Sequence, residues 1–213
     1  MDYQNELSGK IALVTGGTKG AGSAIAERLL QAGATVIITA RNAPEKENSK
    51  LHFIPSDLSK AEGTQKVISE VLSAYGRLDI LVNNLGSSTT PAGGFTALSD
   101  EVWESTLQAN LLAPVRLDRG FLPQMLDRKN GVIIHIASIQ GKLPLYDSTL
   151  PYAAAKAGLR NYSKSLSNEV SPKGVRVLTV SPGWINTGAS KAWLAEIARN
   201  ANSTVEEAQQ GVM

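Results

Sequence analysis

The sequence predicts an α/β fold in which one parallel sheet carries helices on both of its faces. Short runs rich in Val and Ile alternate along the chain with longer segments whose apolar residues recur at helical spacing. The composition agrees, since 42% of the 213 residues are apolar, only 5% are aromatic, and 19 glycines supply tight turns. Alternating strands and helices connect by right-handed crossovers, which produces a doubly wound parallel sheet in a single domain over residues 1–213.

The first half of the chain supplies four predicted strands. Residues 10–15 (KIALVT) are a β-branched run that ends at a pair of glycines, and a helix follows over residues 21–32. Gly33 ends that helix, and residues 34–40 (ATVIITA) are apolar at consecutive positions, as in a strand covered on both faces. The same patterns predict a strand at 51–54, a helix at 59–75 and a strand at 78–82.

The second half repeats the alternation. Ser99 can cap a long helix over residues 99–128, whose first turn is acidic and which Pro114 is expected to bend. The remaining predicted elements are a strand at 131–137 (GVIIHIA), an Ala- and Leu-rich helix at 152–170 and a strand at 174–181.

Charge and residue content exclude several classes of protein. Lys and Arg total 21 against 19 Asp and Glu, a balance that argues against nucleic acid or an anionic membrane as partner. The absence of Cys excludes a disulfide scaffold and a thiolate metal site. His52 and His135 form no metal-binding pair, so no metal is expected, and His135 is interpreted as a structural histidine bonded to a neighbouring helix.

The amino-terminal segment gives the expected location of the protein. MDYQNELSGK lacks the cationic and apolar regions of an export signal. No apolar run approaches the ~20 residues that cross a bilayer. A cytoplasmic protein is therefore expected.

Glycines between the first predicted strand and its helix form a candidate dinucleotide site. Gly16, Gly20 and Gly22 lie within TGGTKGAG, a variant of the G-x-G-x-x-G fingerprint. Backbone N–H groups at such a turn can hold a pyrophosphate at the start of the helix. A tight turn without a ligand is the alternative for these glycines alone, but their place at the first crossover favours a Rossmann-type cofactor site.

The end of the second predicted strand favours NADP(H) over NAD(H). An acidic residue usually accepts hydrogen bonds from the adenosine ribose at this place. Here the strand ends in Thr39-Ala40-Arg41, without a carboxylate. Arg41 can stack on adenine and bind a 2′-phosphate, and Lys19 can add a second positive charge. Two ordinary solvated side chains are the alternative.

Tyr152 and Lys156 lie at i, i+4 spacing near the start of the alanine-rich helix and therefore share one helix face. A tyrosine pKa of about 10 is too high for acid–base catalysis near neutrality, and a nearby lysine lowers it. This pair is common in amphipathic helices, so its weight depends on the other motifs.

Several motifs recur together in a characteristic order and spacing. They are TGGTKGAG, Asn83-Asn84-Leu85-Gly86, Asn110, Ser138, the pair Tyr152 and Lys156, and PGWINT at 182–187. Taken together they resemble the short-chain dehydrogenase/reductase family over nearly the whole chain. The resemblance implies hydride transfer between a nicotinamide cofactor and a carbonyl or carbinol carbon.

The resemblance implies a role for each of four catalytic residues. Tyr152 would be the general acid/base, and Ser138 would hydrogen-bond the substrate oxygen and stabilise its developing charge. Lys156 would bond the nicotinamide ribose and lower the Tyr152 pKa. Asn110 would hold a water through which protons reach solvent.

It also implies a set of cofactor contacts. Asp57 would contact adenine, Asn83 would brace the sheet beside the cofactor, and Ile185 and Thr187 would contact the nicotinamide carboxamide. The complete expected cofactor set is Gly16, Thr18, Lys19, Gly20, Gly22, Arg41, Asp57, Leu58, Asn84, Gly86, Tyr152, Lys156, Pro182, Gly183, Ile185 and Thr187.

Two features depart from the family pattern. Leu85 stands where alanine is common, which adds bulk near the adenosine or substrate side. The chain stops at Met213, before the final helix and strand with which family members complete the sheet and close the pocket. Residues 189–200 and 203–210 resemble the substrate-covering helices. Plausible pocket walls are Gln140, Leu143, Leu145, Tyr146, Trp184 and Trp193.

The expected function is an NADP(H)-dependent oxidoreductase that interconverts a carbonyl and a secondary alcohol on a small or medium organic substrate, as a homodimer or homotetramer. A dinucleotide-binding protein without turnover is the alternative, because a shortened chain could keep only the cofactor site. The complete tetrad argues against it. A nucleotide-sugar epimerase or dehydratase would usually carry a larger substrate domain, which this length excludes.

Overall fold

The structure, a computed structural model, describes residues 4–45, 48–88, 90–91, 93–145 and 149–212. Within them the strands are β1 (Ile11–Thr15), β2 (Thr35–Ala40), β3 (Leu51–Pro55), β4 (Ile80–Asn83), β5 (Gly131–Ile136) and β6 (Val175–Val180). They form one parallel sheet in the order β3-β2-β1-β4-β5-β6. The predicted fold class and strands are thus confirmed, with small shifts at the strand ends.

Helices connect the strands and lie on both faces of the sheet. They are α1 (Gly20–Gln31), α2 (Ala61–Tyr75), α3 (Asp100–Leu107), α4 (Ala113–Asp127), α5 (Leu150–Val170), α6 (Gly188–Asn200) and α7 (Val205–Val212). None of the described helices is long and apolar enough to cross a membrane.

The predicted long helix over 99–128 contains an irregular turn rather than a bend at Pro114 itself. A π-helical turn (Gln108–Leu112) joins α3 to α4, and the Ala113 amide donates to the Gln108 carbonyl five residues back. Pro114 follows in the first turn of α4. Because proline has no N–H and cannot continue the i→i−4 ladder, the wider turn comes just before it.

Side chains alternate between the two faces of the sheet and build a core on each. Leu13 belongs to the cluster under α2 and α4, whereas its neighbour Val14 belongs to the cluster under α1. Leu85, directly after β4, packs against the first cluster. Its side chain is half-buried against that cluster while its backbone lies beside Gly16, so the expectation that Leu85 adds bulk beside adenosine or substrate stays a prediction.

Asp79 ties three elements together at the amino-terminal edge of the sheet. Its buried carboxylate accepts the Ile11 amide at 2.9 Å and pairs with Arg128 at 2.8 Å and Arg77 at 3.2 Å. Burial by itself raises the Asp79 pKa, but these hydrogen bonds outweigh it and hold the pKa below its ordinary value. The carboxylate therefore stabilises the fold only while it is ionised.

Replacing Asp79 by Asn is expected to lower the free energy of unfolding by about 2 kcal/mol at pH 7, because it leaves Arg128 and the Ile11 amide poorly paired. The folded pKa is depressed, so the contribution is complete above the unfolded value of about 3.9 and disappears as pH falls through the folded value. Urea unfolding of both proteins at neutral and acidic pH measures this. Equal stability at pH 7 would contradict it.

Candidate active site

The strand order reverses between β1 and β4, and parallel sheets open a ligand crevice at the carboxyl ends of strands at such a point. Thr15, buried at the end of β1, holds the two loops together there. Its hydroxyl accepts the amides of Asn84 at 2.9 Å and Leu85 at 2.8 Å. The crevice therefore has a fixed floor.

The glycine turn fits closely against this floor. Gly16 and Gly20 have positive φ values of 63° and 57°, which favour glycine. A Cβ at Gly22 would overlap the Gly16 carbonyl oxygen. The chain therefore folds back on itself more tightly than any other residue type allows.

Asn84 is the side chain that holds this turn. Its Nδ2 donates to the carbonyl of Thr15 at 2.9 Å and, at a longer 3.4 Å, to that of Gly16. Asn83, which is expected to brace the sheet beside the cofactor, donates to Asp118 at 2.9 Å and so ties β4 to α4. The two asparagines differ because Asn83 still follows the strand alternation and points to the helices, whereas Asn84 has left the strand.

Helix α1 begins at the turn with free backbone donors. Its N-cap residue, Lys19, makes no side-chain capping bond. The first N–H groups of a helix lack partners within the helix and attract anions. Thr18 and Lys19 lie just ahead of them, and Lys19 is exposed. This geometry can receive a pyrophosphate.

The loops after β2 and β3 form the opposite side of the crevice. Arg41 is exposed and forms no ion pair with any described residue. The Asp57 carboxylate accepts the Ser59 hydroxyl at 2.7 Å and the Ser59 amide at 3.1 Å. That hydroxyl bond is the main reason why the Asp57 pKa is low, and Arg41 adds to it. Leu58 is buried in the core, so a contact of Leu58 with adenine would come mainly from the backbone, whereas the Asp57 carboxylate is half-buried.

Four side chains predicted to be catalytic lie together beside this crevice. Ser138 follows β5, and its hydroxyl lies close enough to the Tyr152 phenol near the start of α5 to lower the pKa of that phenol. Lys156, one turn further along α5, has its Nζ 5.6 Å from the centre of the Tyr152 ring. The same Nζ donates to the Ile136 carbonyl at 2.8 Å.

Asn110 reaches the same point from the π-helical turn. Its Nδ2 donates to the carbonyls of Ser87 at 2.9 Å and Thr106 at 3.0 Å, and its Oδ1 accepts the Ser87 amide at 3.2 Å. A Cβ at Gly86 would stand 3.0 Å from both Asn110 Oδ1 and Lys156 Nζ. Gly86 is therefore the place where these two side chains approach the loop after β4.

Burial sets the proton affinities of this group. It raises the pKa of Tyr152, and the Ser138 hydroxyl offsets only part of that effect. Burial also lowers the pKa of Lys156 to about 8. In this arrangement Lys156 Nζ is directed to the Ile136 carbonyl and desolvation of the phenol is the largest influence on the Tyr152 pKa, so the expected lowering of that pKa by Lys156 stays a prediction. Tyr152 is therefore a protonated phenol at neutral pH.

The loop after β6 closes the crevice. The Pro182 carbonyl accepts the Ile139 amide at 2.9 Å, which holds this loop beside Ser138. A Cβ at Gly20 would be 3.6 Å from Thr187, so Thr187 faces the glycine turn. Thr187 also caps α6 in a capping box with Ser190. Gly183 and Ile185 lie exposed between these anchors.

The predicted pocket walls are less closely defined. Leu143 is 67% exposed, Gln140 donates its amide to the Ser138 hydroxyl at 3.2 Å, and Leu145 is half-buried. The rings of Trp184 and Trp193 are 5.9 Å apart, and Trp184 packs in a small cluster with α6 and α7. Tyr146 lies outside the described residues.

His135 has the structural role that the sequence predicted. It is fully buried, with Nδ1 3.0 Å from Ser163 Oγ and Nε2 2.9 Å from Asp118 Oδ2. Thr15, Thr106 and Asp118 were missed, although a polar residue that ends an apolar strand, as Thr15 does, is a usable signal. Within the described part of the chain, no group of three or more His, Cys, Asp or Glu could hold a metal ion.

Comparison with known proteins gives consistent matches. A family model described as short chain dehydrogenase matches residues 10–198. The 3-oxoacyl-[acyl-carrier-protein] reductase FabG of Vibrio harveyi is 39% identical over 195 residues, which cover 87% of this chain and 78% of that protein.

Solved structures agree with these matches. A metagenomic short-chain oxidoreductase in complex with NADP is 36% identical, with a TM-score of 0.78 over 84% of this chain and 83% of the other. L-sorbose reductase from Gluconobacter frateurii, complexed with NADPH and L-sorbose, is 31% identical, with a TM-score of 0.85 over 100% of this chain and 82% of the other.

Proposed function

This chain belongs to the short-chain dehydrogenase/reductase family, and from that premise we propose how its residues carry out the reaction of an NADP(H)-dependent oxidoreductase. The reaction interconverts a carbonyl group and a secondary alcohol by hydride transfer. The observation that supports the proposal most strongly is the meeting of Ser138, Tyr152, Lys156 and Asn110 beside the glycine turn. A binding protein without turnover is not favoured, because it would have no use for this group.

The glycine turn fits a dinucleotide. Gly16 and Gly20 supply the positive φ values of the turn, Gly22 allows its close approach to the Gly16 carbonyl, and the first amides of α1 are free to bind phosphate. The bound nicotinamide supplies a hydride. Thr187 and Ile185 would contact that nicotinamide, and Lys156 would bond its ribose.

The hydroxyl groups of Ser138 and Tyr152 hold the substrate oxygen. Because the Tyr152 phenol is protonated at neutral pH, it donates its proton to the oxygen as the carbonyl is reduced. Ser138 donates a hydrogen bond to the same oxygen as negative charge develops on it. The charged Lys156 then stabilises the phenolate, and Asn110 fixes the loop at Ser87 that borders Lys156.

A direct assay tests this function. The purified chain is mixed with NADPH and a panel of ketones, and NADPH oxidation is followed with and without each ketone. Ketone-dependent oxidation is expected. Tight NADPH binding without oxidation by any carbonyl compound would favour the binding protein instead.

The preference for NADP(H) over NAD(H) rests on Arg41 and Lys19. Both are exposed at the adenosine side, and neither is neutralised by an ion pair with a described residue. A guanidinium binds a phosphate through two parallel hydrogen bonds and cannot lose its charge. Arg41 therefore carries most of the preference.

Replacing Arg41 by Glu is expected to weaken NADPH binding by about 30-fold, since the change removes about 2 kcal/mol of phosphate contact. NADH affinity should change by less than about threefold, because NADH has no 2′-phosphate. Fluorescence titration with both cofactors measures this. Lys173→Glu is the control, because it makes the same charge change at the amino end of β6. Equal losses for NADPH and NADH would show that Arg41 does not select the phosphate.

The proposed substrate is a small or medium organic carbonyl compound or alcohol. The proposed assembly is a homodimer or homotetramer, because family members commonly pair through the long helices that here contain Asn110 and Tyr152. The proposed location is the cytoplasm, where NADPH is available as a reductant.

A further inference from the structure

Four buried polar side chains and the exposed Thr179 form a continuous hydrogen-bonded chain below the active site, which the mechanism above does not use. Asn83 donates to Asp118 Oδ1 at 2.9 Å, Asp118 Oδ2 is 2.9 Å from His135 Nε2, and His135 Nδ1 is 3.0 Å from Ser163 Oγ. Thr179 donates to Ser163 at 2.6 Å. We call these residues the polar chain. It crosses a layer of the protein that is otherwise apolar.

The polar chain joins five elements of the fold. Asn83, His135 and Thr179 are register partners on the adjacent strands β4, β5 and β6. Asp118 comes from α4 and Ser163 from α5. The hydrogen bonds therefore fix both helices against three strands at one level of the sheet.

Four of the residues in the polar chain lie a short distance along the chain from a residue of the active site. Gly86 comes three residues after Asn83, and Ser138 comes three residues after His135. On α5, Ser163 is seven residues after Lys156, which is about two helical turns and the same helix face.

The α4 side is tied in the same way. Asp118 is eight residues after Asn110, which lies within the π-helical turn. The carbonyl that accepts Lys156 belongs to Ile136, the residue next to His135. A shift of either helix at the polar chain would therefore move Asn110 or Lys156 relative to Ser138.

Donors and acceptors match one another along the part of the polar chain that runs from Asp118 through His135 and Ser163 to Thr179. A neutral His135 with its proton on Nε2 donates to Asp118 and accepts from Ser163, while Ser163 accepts from Thr179. Asp118 also receives the Tyr162 phenol, whose pKa is raised by burial and by that carboxylate. Because Asp118 and His135 are both 0% exposed, losing one partner leaves a buried polar group unpaired. Helix positions that break these bonds are therefore disfavoured.

We propose that the polar chain positions the catalytic group. His135, Asp118 and Ser163 fix the positions of α4 and α5 relative to the sheet. In those positions Asn110, Tyr152 and Lys156 meet Ser138. The residues of the polar chain are positioning residues, because they contact neither substrate nor cofactor. The inference rests on the proposed function for its kinetic consequence. A geometric change of about 1 Å far from the reacting atoms can cost on the order of 100-fold in rate.

Ser163→Ala and His135→Leu test this proposal, with Asp79→Asn as the matched control. Asp79 is also a buried polar anchor, but it ties β1, β4 and α4 at the opposite edge of the sheet. Ser163→Ala is expected to lower kcat by about tenfold or more, with KM for NADPH within about threefold. Asp79→Asn is expected to lower the free energy of unfolding about as much as Ser163→Ala does. It should nevertheless leave kcat within about twofold of the wild type.

Hydrogen exchange gives a second readout that does not depend on turnover. The described amides of 106–114 and 150–160 should exchange about tenfold faster in Ser163→Ala than in the wild type, and those segments should be unchanged in Asp79→Asn. If His135→Leu does not fold, Ser163→Ala alone decides both readouts.

The outcomes separate the two proposals. Wild-type turnover together with unchanged kcat and unchanged exchange in a folded Ser163→Ala overturns the positioning role only. A wild type that reduces no carbonyl compound overturns the proposed function, and exchange at the two segments then decides whether the polar chain holds the helices. Equal loss of kcat in Asp79→Asn and Ser163→Ala would show a general effect of stability and overturn the inference.

Discussion

Replacing Tyr152 by Phe is expected to reduce kcat by about 1,000-fold or more while leaving NADPH affinity within about threefold of the wild type. The substitution removes one hydroxyl and keeps the ring, so the packing at the start of α5 is preserved. That hydroxyl is the proton donor that lies beside Ser138, and burial keeps it protonated at neutral pH. Without it, the developing oxyanion can take a proton only from water.

Steady-state kinetics and fluorescence titration of NADPH test this prediction together. Tyr75→Phe is a suitable control, because Tyr75 is a half-buried tyrosine on α2 that packs against the core far from the crevice. It should leave kcat unchanged within about twofold. A Tyr152→Phe enzyme with substantial turnover would assign the proton transfer to another group.

Replacing Gly22 by Ala is expected to weaken NADPH binding by about 100-fold or more. The new Cβ would overlap the Gly16 carbonyl oxygen and lie 2.5 Å from Asn84 Nδ2. Both are rigid parts of the turn, because Asn84 is held by Thr15. The turn must open, which displaces the amides that would bind the pyrophosphate and costs about 1–3 kcal/mol of stability as well.

Gly188→Ala is the matched control for this change. Gly188 likewise lies in the first turn of a helix beside the crevice, but a Cβ there meets no atom within 4 Å. Titration with NADPH and thermal unfolding of both variants distinguish a local effect on the cofactor site from general unfolding. If Gly22→Ala binds NADPH as tightly as Gly188→Ala, the close approach at the turn is not a condition for binding.

The strands of this fold were predictable because their signal is local. Consecutive Val and Ile residues, as in ATVIITA, mark a strand that is covered on both faces wherever they occur. Motif spacing likewise pointed to Ser138, Tyr152 and Lys156, which the structure places together.

The features that could not be predicted depend on distant partners. The Tyr152 pKa depends on how completely the fold buries the phenol, which no nearby residue reveals. Leu85 packs against the core because helices α2 and α4 are there to receive it. The polar chain joins Asp118, His135 and Ser163 across gaps of 17 and 28 residues, and each of them alone looks like an ordinary polar residue.

The most direct test of the central claim follows the hydride itself. The chain is supplied with NADPH that carries deuterium at both hydrogen positions of the nicotinamide C4 and with the panel of ketones, and the product is examined by mass spectrometry and NMR. The account predicts a secondary alcohol with one deuterium on the carbinol carbon and the new proton on its oxygen drawn from solvent. An alcohol without deuterium at that carbon, or NADPH that binds and is never oxidised, would contradict it.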